Sequence, residues 1–140
     1  MITSEQFDRL VDLYPKIFKS FCGYFNVGTG WYSLVEDLCL VLDGYDLINK
    51  SEIFQIIEVE NKFGVLNICY TGGDDLVERM VHFAERLSYK TCEECGSPGT
   101  LFSSDGTRFG HLTTLCKKHG LIKFKRIYDF GTPPANSLTS

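Results

Sequence analysis

Residues 92–119 read CEECGSPGTLFSSDGTRFGHLTTLCKKH and contain two closely spaced pairs of metal-binding side chains. Two residues separate Cys92 from Cys95, and two separate Cys116 from His119. Structural zinc sites hold Zn²⁺ in a tetrahedron of four thiolate or imidazole ligands, and two short-spaced pairs can supply them with little chain strain. The spacing therefore predicts one structural zinc ion per chain, with these four residues as its ligands.

Free or disulfide-bonded thiols are the alternative interpretation of these cysteines. The close pairing, the terminal histidine and the lack of a secretory signal favour metal binding in a reducing compartment. We therefore expect a cytoplasmic protein. The other three of the six cysteines, Cys22, Cys39 and Cys69, lie in apolar stretches. They are expected to be buried as small apolar side chains.

The residues between the two pairs predict a β-hairpin. Thr100–Ser103 and Thr107–Leu112 flank an Asp105-Gly106 pair, and such a pair between short apolar runs favours a tight turn with positive φ angles. Thr113 or Thr114 is then expected to cap a short helix that carries the second ligand pair. A zinc knuckle, a hairpin and a ligand-bearing helix, in this order, predict a treble-clef-like module.

Two glycines follow the ligand pairs. Gly96 comes directly after the first pair, where a knuckle needs backbone freedom, and Gly120 comes directly after the second, where it is expected to end the helix. A segment this short has little core of its own, so zinc binding is expected to couple to the folding of residues 91–120. Cys92→Ser or Cys116→Ser should then unfold the module while leaving the other helices partly intact.

The preceding residues predict helices packed on a small antiparallel sheet. Apolar side chains at helical spacing indicate helices over residues 5–21, 31–43 and 74–90. The third of these is expected to be capped by Asp74 and to bury one stripe of side chains, formed by Leu76, Val77, Met80, Val81, Ala84 and Leu87. Ser4 is the expected cap of the first helix, which Pro15 should break near Tyr14. Residues 53–59 and 65–70 predict a hairpin with a turn at residues 61–64. The single tryptophan, Trp31, is expected to anchor the core.

The expected organisation is an α+β fold in three parts. Residues 1–90 form the α+β core, residues 91–130 form the zinc module with a final strand over residues 121–128, and residues 131–140 form a flexible tail. The chain has a net charge of −4, and no apolar run reaches the length of about 20 residues that spans a bilayer.

A basic cluster near the second ligand pair is the candidate for nucleic-acid contact. Residues 91–140 carry six basic and four acidic side chains, whereas residues 1–90 carry eight and fourteen. The cluster can bind phosphate, but an ordinary solvated face has the same composition. Its members are Lys117, Lys118, Lys123, Lys125 and Arg126.

Candidate catalytic residues are few. His111 is the one candidate base for a His-metal type nuclease, with Asp105 or Asp129 to hold a divalent ion, but no second histidine or asparagine follows at helical spacing. The Gly28-Thr29-Gly30 segment is too short for a phosphate-binding loop, although capture of a small nucleotide stays open.

Three motifs occur in a fixed order between residues 30 and 120. Gly30-Trp31 precedes a helix, NKFGVL (residues 61–66) precedes a strand, and SYKTCEECGSPG (88–99) and TLCKKH (114–119) carry the zinc ligands. In this combination the chain resembles a group of small bacteriophage-encoded proteins with no established activity. The resemblance implies a phage origin and action in the cytoplasm of the infected host.

We therefore expect a non-enzymatic, zinc-stabilised protein that binds a host macromolecule, in the first place a host protein, in host takeover or in blunting a defence system. Four protein ligands close the site and leave no position for a catalytic water. A nucleic-acid-binding zinc module and a nuclease are the alternatives.

Overall fold

A computed structural model describes residues 1–49, 53–123 and 129–131. Within them the chain forms a mixed α+β fold of four helices and two small sheets, which confirms the predicted α+β class. In chain order the elements are α1 (Ser4–Leu13), β1 (Phe25–Asn26), α2 (Thr29–Asn49), β2 (Gln55–Lys62), β3 (Val65–Thr71), α3 (Asp75–Ser88), β4 (Thr100–Ser103), β5 (Leu112–Leu115), α4 (Lys117–Lys123) and β6 (Asp129–Gly131).

Helix α1 begins and ends where local chemistry requires it. The Thr3 hydroxyl accepts a hydrogen bond from the Gln6 backbone N–H at 3.1 Å, and Gln6 Oε1 accepts one from the Thr3 N–H at 2.9 Å, which is a capping box. The cap is therefore Thr3, and the prediction of Ser4 was wrong by one residue. The helix ends at Leu13, just before Pro15, as expected, but residues 15–20 of the predicted helix form turns and do not continue it.

The first sheet has the strand order β1-β2-β3. β2 pairs with β3 in the predicted antiparallel hairpin. β1 lies parallel to β2 within a glycine-bearing connection that the sequence does not identify as a strand, so the sheet is mixed and the prediction of a purely antiparallel sheet was wrong. Lys62 pairs with Val65, so the turn consists of Phe63 and Gly64, both with positive φ, at +55° and +91°. Positive φ at both positions is typical of the tight turn that joins twisted strands.

Helix α3 packs on α2 and β3 through one face. Asp74 caps it by accepting a hydrogen bond from the Val77 N–H at 3.0 Å, as predicted. The predicted buried stripe is only partly right, because Leu76 and Leu87 are exposed while Val77, Val81 and Ala84 are buried.

The main core lies between the first sheet and helices α1 to α3. Trp31 is fully buried there, as predicted, and so is Cys39, whose thiol pKa is raised by burial. Cys22 and Cys69 are exposed, so the expectation that they are buried was wrong. No helix in the described part of the chain is both long and apolar enough to cross a membrane.

The second sheet has the order β5-β4-β6, with antiparallel pairing throughout. The predicted β4–β5 hairpin exists, but its second strand begins at Leu112 rather than Thr107. Thr113 and Thr114 lie in β5, so neither caps the following helix. Beneath the sheet a separate small cluster buries Cys92, Phe102 and Leu115.

The end of the chain departs from the predicted strand. Residues 121–123 belong to α4, residues 124–128 lie outside the described part, and the strand that the structure contains is β6 at Asp129–Gly131. Gly120 lies inside α4, so the prediction that it ends the helix was wrong. A Cβ at this position would lie 2.4 Å from the ring of Phe102, which favours a glycine here. Residues 132–140 of the expected tail also lie outside the description.

Candidate metal centre

A tight knuckle carries the first ligand pair. The Gly96 N–H donates to the Cys92 carbonyl at 2.9 Å, and the Cys92 N–H donates to the Ser97 carbonyl at 2.7 Å, so the chain turns back on itself around Cys95. Gly96 has a φ of +83°, the conformation that favours glycine, as the sequence predicts.

The second ligand pair lies at the start of α4. Cys116 connects β5 to the helix and His119 lies in its first turn. The His119 N–H donates to the Cys116 sulfur at 3.5 Å, and the Gly120 N–H donates to the Cys116 carbonyl at 2.8 Å. The turn therefore aims both side chains towards the knuckle.

The four side chains form one cluster. One ligand atom from each of Cys92, Cys95, Cys116 and His119 lies within 4.8 Å of the other three. The sulfurs of Cys95 and Cys116 are 3.8 Å apart, and the Cys92 sulfur is 3.6 Å from His119 Nδ1. Zn–S and Zn–N bonds of about 2.3 and 2.05 Å in a tetrahedron give edges of about 3.8 and 3.6 Å. The spacing fits a metal ion, although the 3.1 Å between Cys116 and His119 is shorter.

The two knuckle thiols lie in different environments. Burial raises the pKa of Cys92, while backbone hydrogen bonds from Cys116, Cys95 and Glu94 act in the opposite direction. Cys95 is exposed, and hydrogen bonds with the Ser97 side chain and backbone lower its pKa to about 6. At neutral pH Cys95 therefore favours the thiolate form, which is the form that binds metal.

Glu93, between the first two ligands, is only 6% exposed and is the residue that the sequence does not identify. Its carboxyl group accepts three hydrogen bonds, from the Gly28 N–H at 3.0 Å, from Asn61 Nδ2 at 3.1 Å and from the Thr113 hydroxyl at 2.5 Å. The donors belong to the loop before α2, the end of β2 and β5. Glu93 therefore joins the knuckle to three separate parts of the fold.

The backbone makes the same connections. The Gly30 N–H donates to the Glu93 carbonyl at 2.7 Å, and the Glu93 N–H donates to the Thr114 carbonyl at 2.8 Å. Trp31 Nε1 donates to the Thr91 carbonyl at 2.8 Å. The Gly-Trp motif, the turn motif and the knuckle therefore meet at one place.

The predicted basic cluster is only partly described. Lys117 and Lys118 are exposed in α4, beside the metal centre. Lys123 is the last residue of α4, and its side chain, like Lys125 and Arg126, lies outside the described part. Nucleic-acid contact by this cluster stays a prediction.

The candidate nuclease residues lie in the β4–β5 loop and in β6. His111 is exposed, and its main chain pairs with Ser104. The Asp105 carboxylate accepts hydrogen bonds from Thr107 and Ser103, which lower its pKa. Asp129 is the first residue of β6. Among the described residues, the only group of three or more Cys, His, Asp or Glu side chains close enough to hold a metal is the Cys₃His cluster.

No protein-family model, curated protein sequence or solved structure matches this chain.

The four candidate metal ligands can be predicted from the sequence, because each pair is closely spaced along the chain. The role of Glu93 cannot, because its hydrogen-bond partners lie far from it in sequence. Gly28, Asn61 and Thr113 are separated from Glu93 by 65, 32 and 20 residues. The residues next to Glu93 in sequence include Lys90, Thr91 and Glu94, so no apolar pattern in the sequence indicates that Glu93 is buried.

Proposed function

We propose that the Cys₃His cluster is a closed structural zinc site and that the protein is a non-enzymatic binding protein. The observation that carries this proposal is that four protein ligands from two short segments converge within 4.8 Å. Three thiolates and one imidazole suit Zn²⁺, and a full set of protein ligands leaves no open position for a reacting water. The metal therefore stabilises the fold and does no chemistry.

The order of elements around the site supports a treble-clef-like module. A knuckle with the first ligand pair, the β4–β5 hairpin and helix α4 with the second pair follow one another along the chain. Among the residues that the structure describes, the buried cluster of this module consists of Cys92, Phe102 and Leu115, with Cys116 packed against it. A core this small needs a metal to hold it, because few apolar side chains are removed from water.

Two exposed aromatic side chains support a binding role. Phe63 is 77% exposed in the β2–β3 turn, and Phe109 is 96% exposed in the β4–β5 loop. The two hairpins touch, because the Thr114 hydroxyl donates to the Gly64 carbonyl at 2.8 Å. Large apolar side chains held in water at loop tips are typical anchors for a partner. We propose a host macromolecule, in the first place a protein, reached in the cytoplasm of a phage-infected cell.

Native mass spectrometry of the purified chain tests the metal site. We expect one zinc ion per chain, lost on strong chelation together with a fall in melting temperature. Cys116→Ser should lose the ion, whereas Cys69→Ser, which changes an exposed cysteine outside the cluster, should keep it. Retention of one zinc by Cys116→Ser with wild-type affinity would contradict the four-ligand site.

A pull-down from bacterial lysate tests the binding role. We expect a stoichiometric partner with the wild-type chain that the double variant Phe63→Ser/Phe109→Ser does not retain, while its zinc content is unchanged. The absence of any stoichiometric partner would contradict the proposal of a protein partner.

Nucleic acid is the second candidate partner, because both of these phenylalanines, Phe63 and Phe109, follow a basic residue. Lys62 precedes Phe63 and Arg108 precedes Phe109, and both basic residues are exposed. Single-stranded nucleic acids bind through base stacking on aromatic rings and phosphate contacts with cations. Fluorescence anisotropy of a labelled 20-nucleotide strand should then show binding that weakens from 50 to 200 mM salt. Magnesium-dependent cleavage lost in His111→Ala would instead establish nuclease chemistry.

A further inference from the structure

The environment of Glu93 contains hydrogen-bond donors from three elements. The three groups that donate to its carboxyl oxygens, the Gly28 N–H, the Asn61 amide and the Thr113 hydroxyl, are all neutral. Burial of a carboxyl group opposes folding unless its oxygens are hydrogen-bonded. The three donors belong to other parts of the fold. The Glu93 carboxyl group therefore keeps its hydrogen bonds only while the knuckle is packed against those parts.

The amide of Asn61 is oriented by two contacts. Its Oδ1 accepts a hydrogen bond from the Gly64 N–H at 2.9 Å, and its Nδ2 donates to Glu93. The same side chain therefore closes the β2–β3 turn and holds the knuckle. Thr113 is fully buried in β5, and its hydroxyl donates a further hydrogen bond to the Glu93 carboxyl group.

We propose that Glu93 is the positioning residue of the metal centre, which holds Cys92 and Cys95 in the metal-binding conformation by anchoring the knuckle to the loop before α2, to the β2–β3 turn and to β5. This inference rests on the zinc-binding function proposed above. Zinc affinity then depends on Asn61 and Thr113, neither of which is a metal ligand.

The close approach of the backbone supports the same role. A Cβ on Gly30 would lie 2.0 Å from the Cys92 carbonyl oxygen and 2.4 Å from the Gly96 nitrogen. A Cβ on Gly28 would lie 2.4 Å from the Glu93 carbonyl oxygen. The knuckle therefore sits directly on Gly28 and on the first turn of α2, with no space for a side chain between them.

The expected magnitude follows from other metal sites. Residues that orient the ligands without touching the metal typically change metal affinity by about 10- to 100-fold when they are replaced. We expect Asn61→Asp to weaken zinc binding by about 10-fold or more, since it keeps the acceptor for the Gly64 N–H but turns the donor that faces Glu93 into an acceptor.

The experiment measures zinc affinity by competition with a chromophoric chelator. The matched control is Asn67→Asp, which makes the same change on β3, where Asn67 lines a shallow groove beside α3. Thr113→Val removes the hydroxyl donor from β5 and is the second test, in case Asn61→Asp fails to fold. Circular dichroism establishes that each variant is folded before its zinc affinity is measured.

Amide hydrogen exchange provides a readout that general destabilisation would not reproduce. In zinc-loaded Glu93→Gln the exchange of the Gly28 and Gly30 amides should accelerate selectively, while the amides of the α3 interior stay protected. Glu94→Gln, which makes the same change of charge within the knuckle, is the comparison.

The outcomes separate the two proposals. Weakened zinc binding in Asn61→Asp and Thr113→Val, with Asn67→Asp at the wild-type value, supports the positioning role. Wild-type zinc affinity in both test variants overturns it and leaves the closed zinc site standing. A wild-type chain that binds no zinc overturns both.

Discussion

Gly30 lies against the knuckle of the metal centre, where the backbone leaves no space for a side chain. Its N–H donates to the Glu93 carbonyl, and a Cβ at this position would collide with backbone atoms of Cys92 and Gly96. Backbone atoms cannot move aside as the end of a flexible side chain can. The glycine of the Gly-Trp motif is therefore required by the knuckle that lies on it.

Gly30→Ala should destabilise the protein and weaken zinc binding together. We expect the free energy of unfolding to fall by about 3 kcal/mol, since insertion of a methyl group into filled space forces the backbone to shift. The matched control is Gly44→Ala in α2, where a Cβ meets no atom within 4 Å. That change should raise the free energy of unfolding by about 0.5–1 kcal/mol, because alanine favours the helix. Denaturant unfolding measures both, and equal effects of the two changes would contradict the close approach.

Phe63 is a residue whose backbone conformation does not suit its side chain. Its φ is +55°, a region that bulky residues rarely adopt, and the ring is largely exposed. Strain of this kind persists where the surrounding structure imposes it, and it often marks a functional site. A strained backbone beneath a largely exposed ring fits the role of partner anchor that we propose for Phe63.

Phe63→Asn should therefore stabilise the protein, by about 1 kcal/mol, because asparagine tolerates positive φ and Asn-Gly is the preferred pair for this turn. Phe109→Asn changes an exposed phenylalanine that lacks the positive φ and should have little effect on stability. Thermal unfolding measures the difference. If Phe63→Asn lowers the melting temperature, the turn stores no strain that asparagine can relieve.

At the scale of elements, the sequence predicts well the helices and strands that local signals define. Asp74 caps α3, Pro15 stops α1, and the residues around Phe63 and Gly64 make the β2–β3 turn. The β4–β5 loop is longer than predicted, because the Asp105 side chain accepts hydrogen bonds from Thr107 and builds a local turn of its own. The position of Gly120 inside α4 depends on the Phe102 ring in β4, which local sequence cannot show.

Helix α3 should contribute a specific pH dependence through its cap. The hydrogen bond from the Tyr45 hydroxyl is the largest cause that lowers the pKa of Asp74, followed by the backbone N–H of Val77. A carboxyl pKa that is lower in the folded state stabilises the fold above its unfolded value of 3.8, and this stabilisation is lost as the pH falls through the folded pKa. We expect the cap to weaken progressively below about pH 4.

Asp74→Asn isolates this effect, because asparagine also caps helices but does not titrate in this range. Between pH 5 and pH 2 the melting temperature of the wild type should fall more steeply than that of the variant. Asp75→Asn changes the neighbouring carboxylate in the first turn of α3 and serves as the control. Parallel pH profiles for the wild type and Asp74→Asn would show that the cap does not titrate as the contacts indicate.

The tertiary structure brings together three sequence motifs around Glu93, and the sequence identifies each motif without showing that they are in contact. The Gly-Trp motif, the β2–β3 turn and the zinc knuckle lie far apart along the chain, and Glu93 connects them through contacts with no sequence periodicity. Sequence patterns indicate local structure, whereas tertiary packing determines which groups donate hydrogen bonds to a buried carboxyl group. The closely spaced ligand pairs alone predict that residues 91–120 unfold separately when zinc is lost. The contacts of Glu93 with Gly28 and Asn61 predict instead that the main core is affected as well.

Removal of zinc should therefore affect the main core as well as the knuckle. Trp31 is the only tryptophan, it is fully buried in the main core, and its Nε1 donates to the Thr91 carbonyl, directly beside Cys92. Its fluorescence reports the state of the core at the junction. On chelation we expect the emission to shift to longer wavelength, because release of the knuckle removes the hydrogen bond and admits water to the indole.

Thermal unfolding followed in parallel by tryptophan emission and by zinc release distinguishes independent unfolding of residues 91–120 from coupled unfolding of the metal centre and the main core. Docking through Glu93 predicts that both signals change in one transition, with a midpoint that rises with the concentration of free zinc. Glu93→Gln should separate the signals, so that zinc leaves at a lower temperature than the one at which the core melts. If the wild-type chain already loses zinc well before its tryptophan emission changes, residues 91–120 unfold independently, and the contacts of Glu93 do not couple the metal centre to the core.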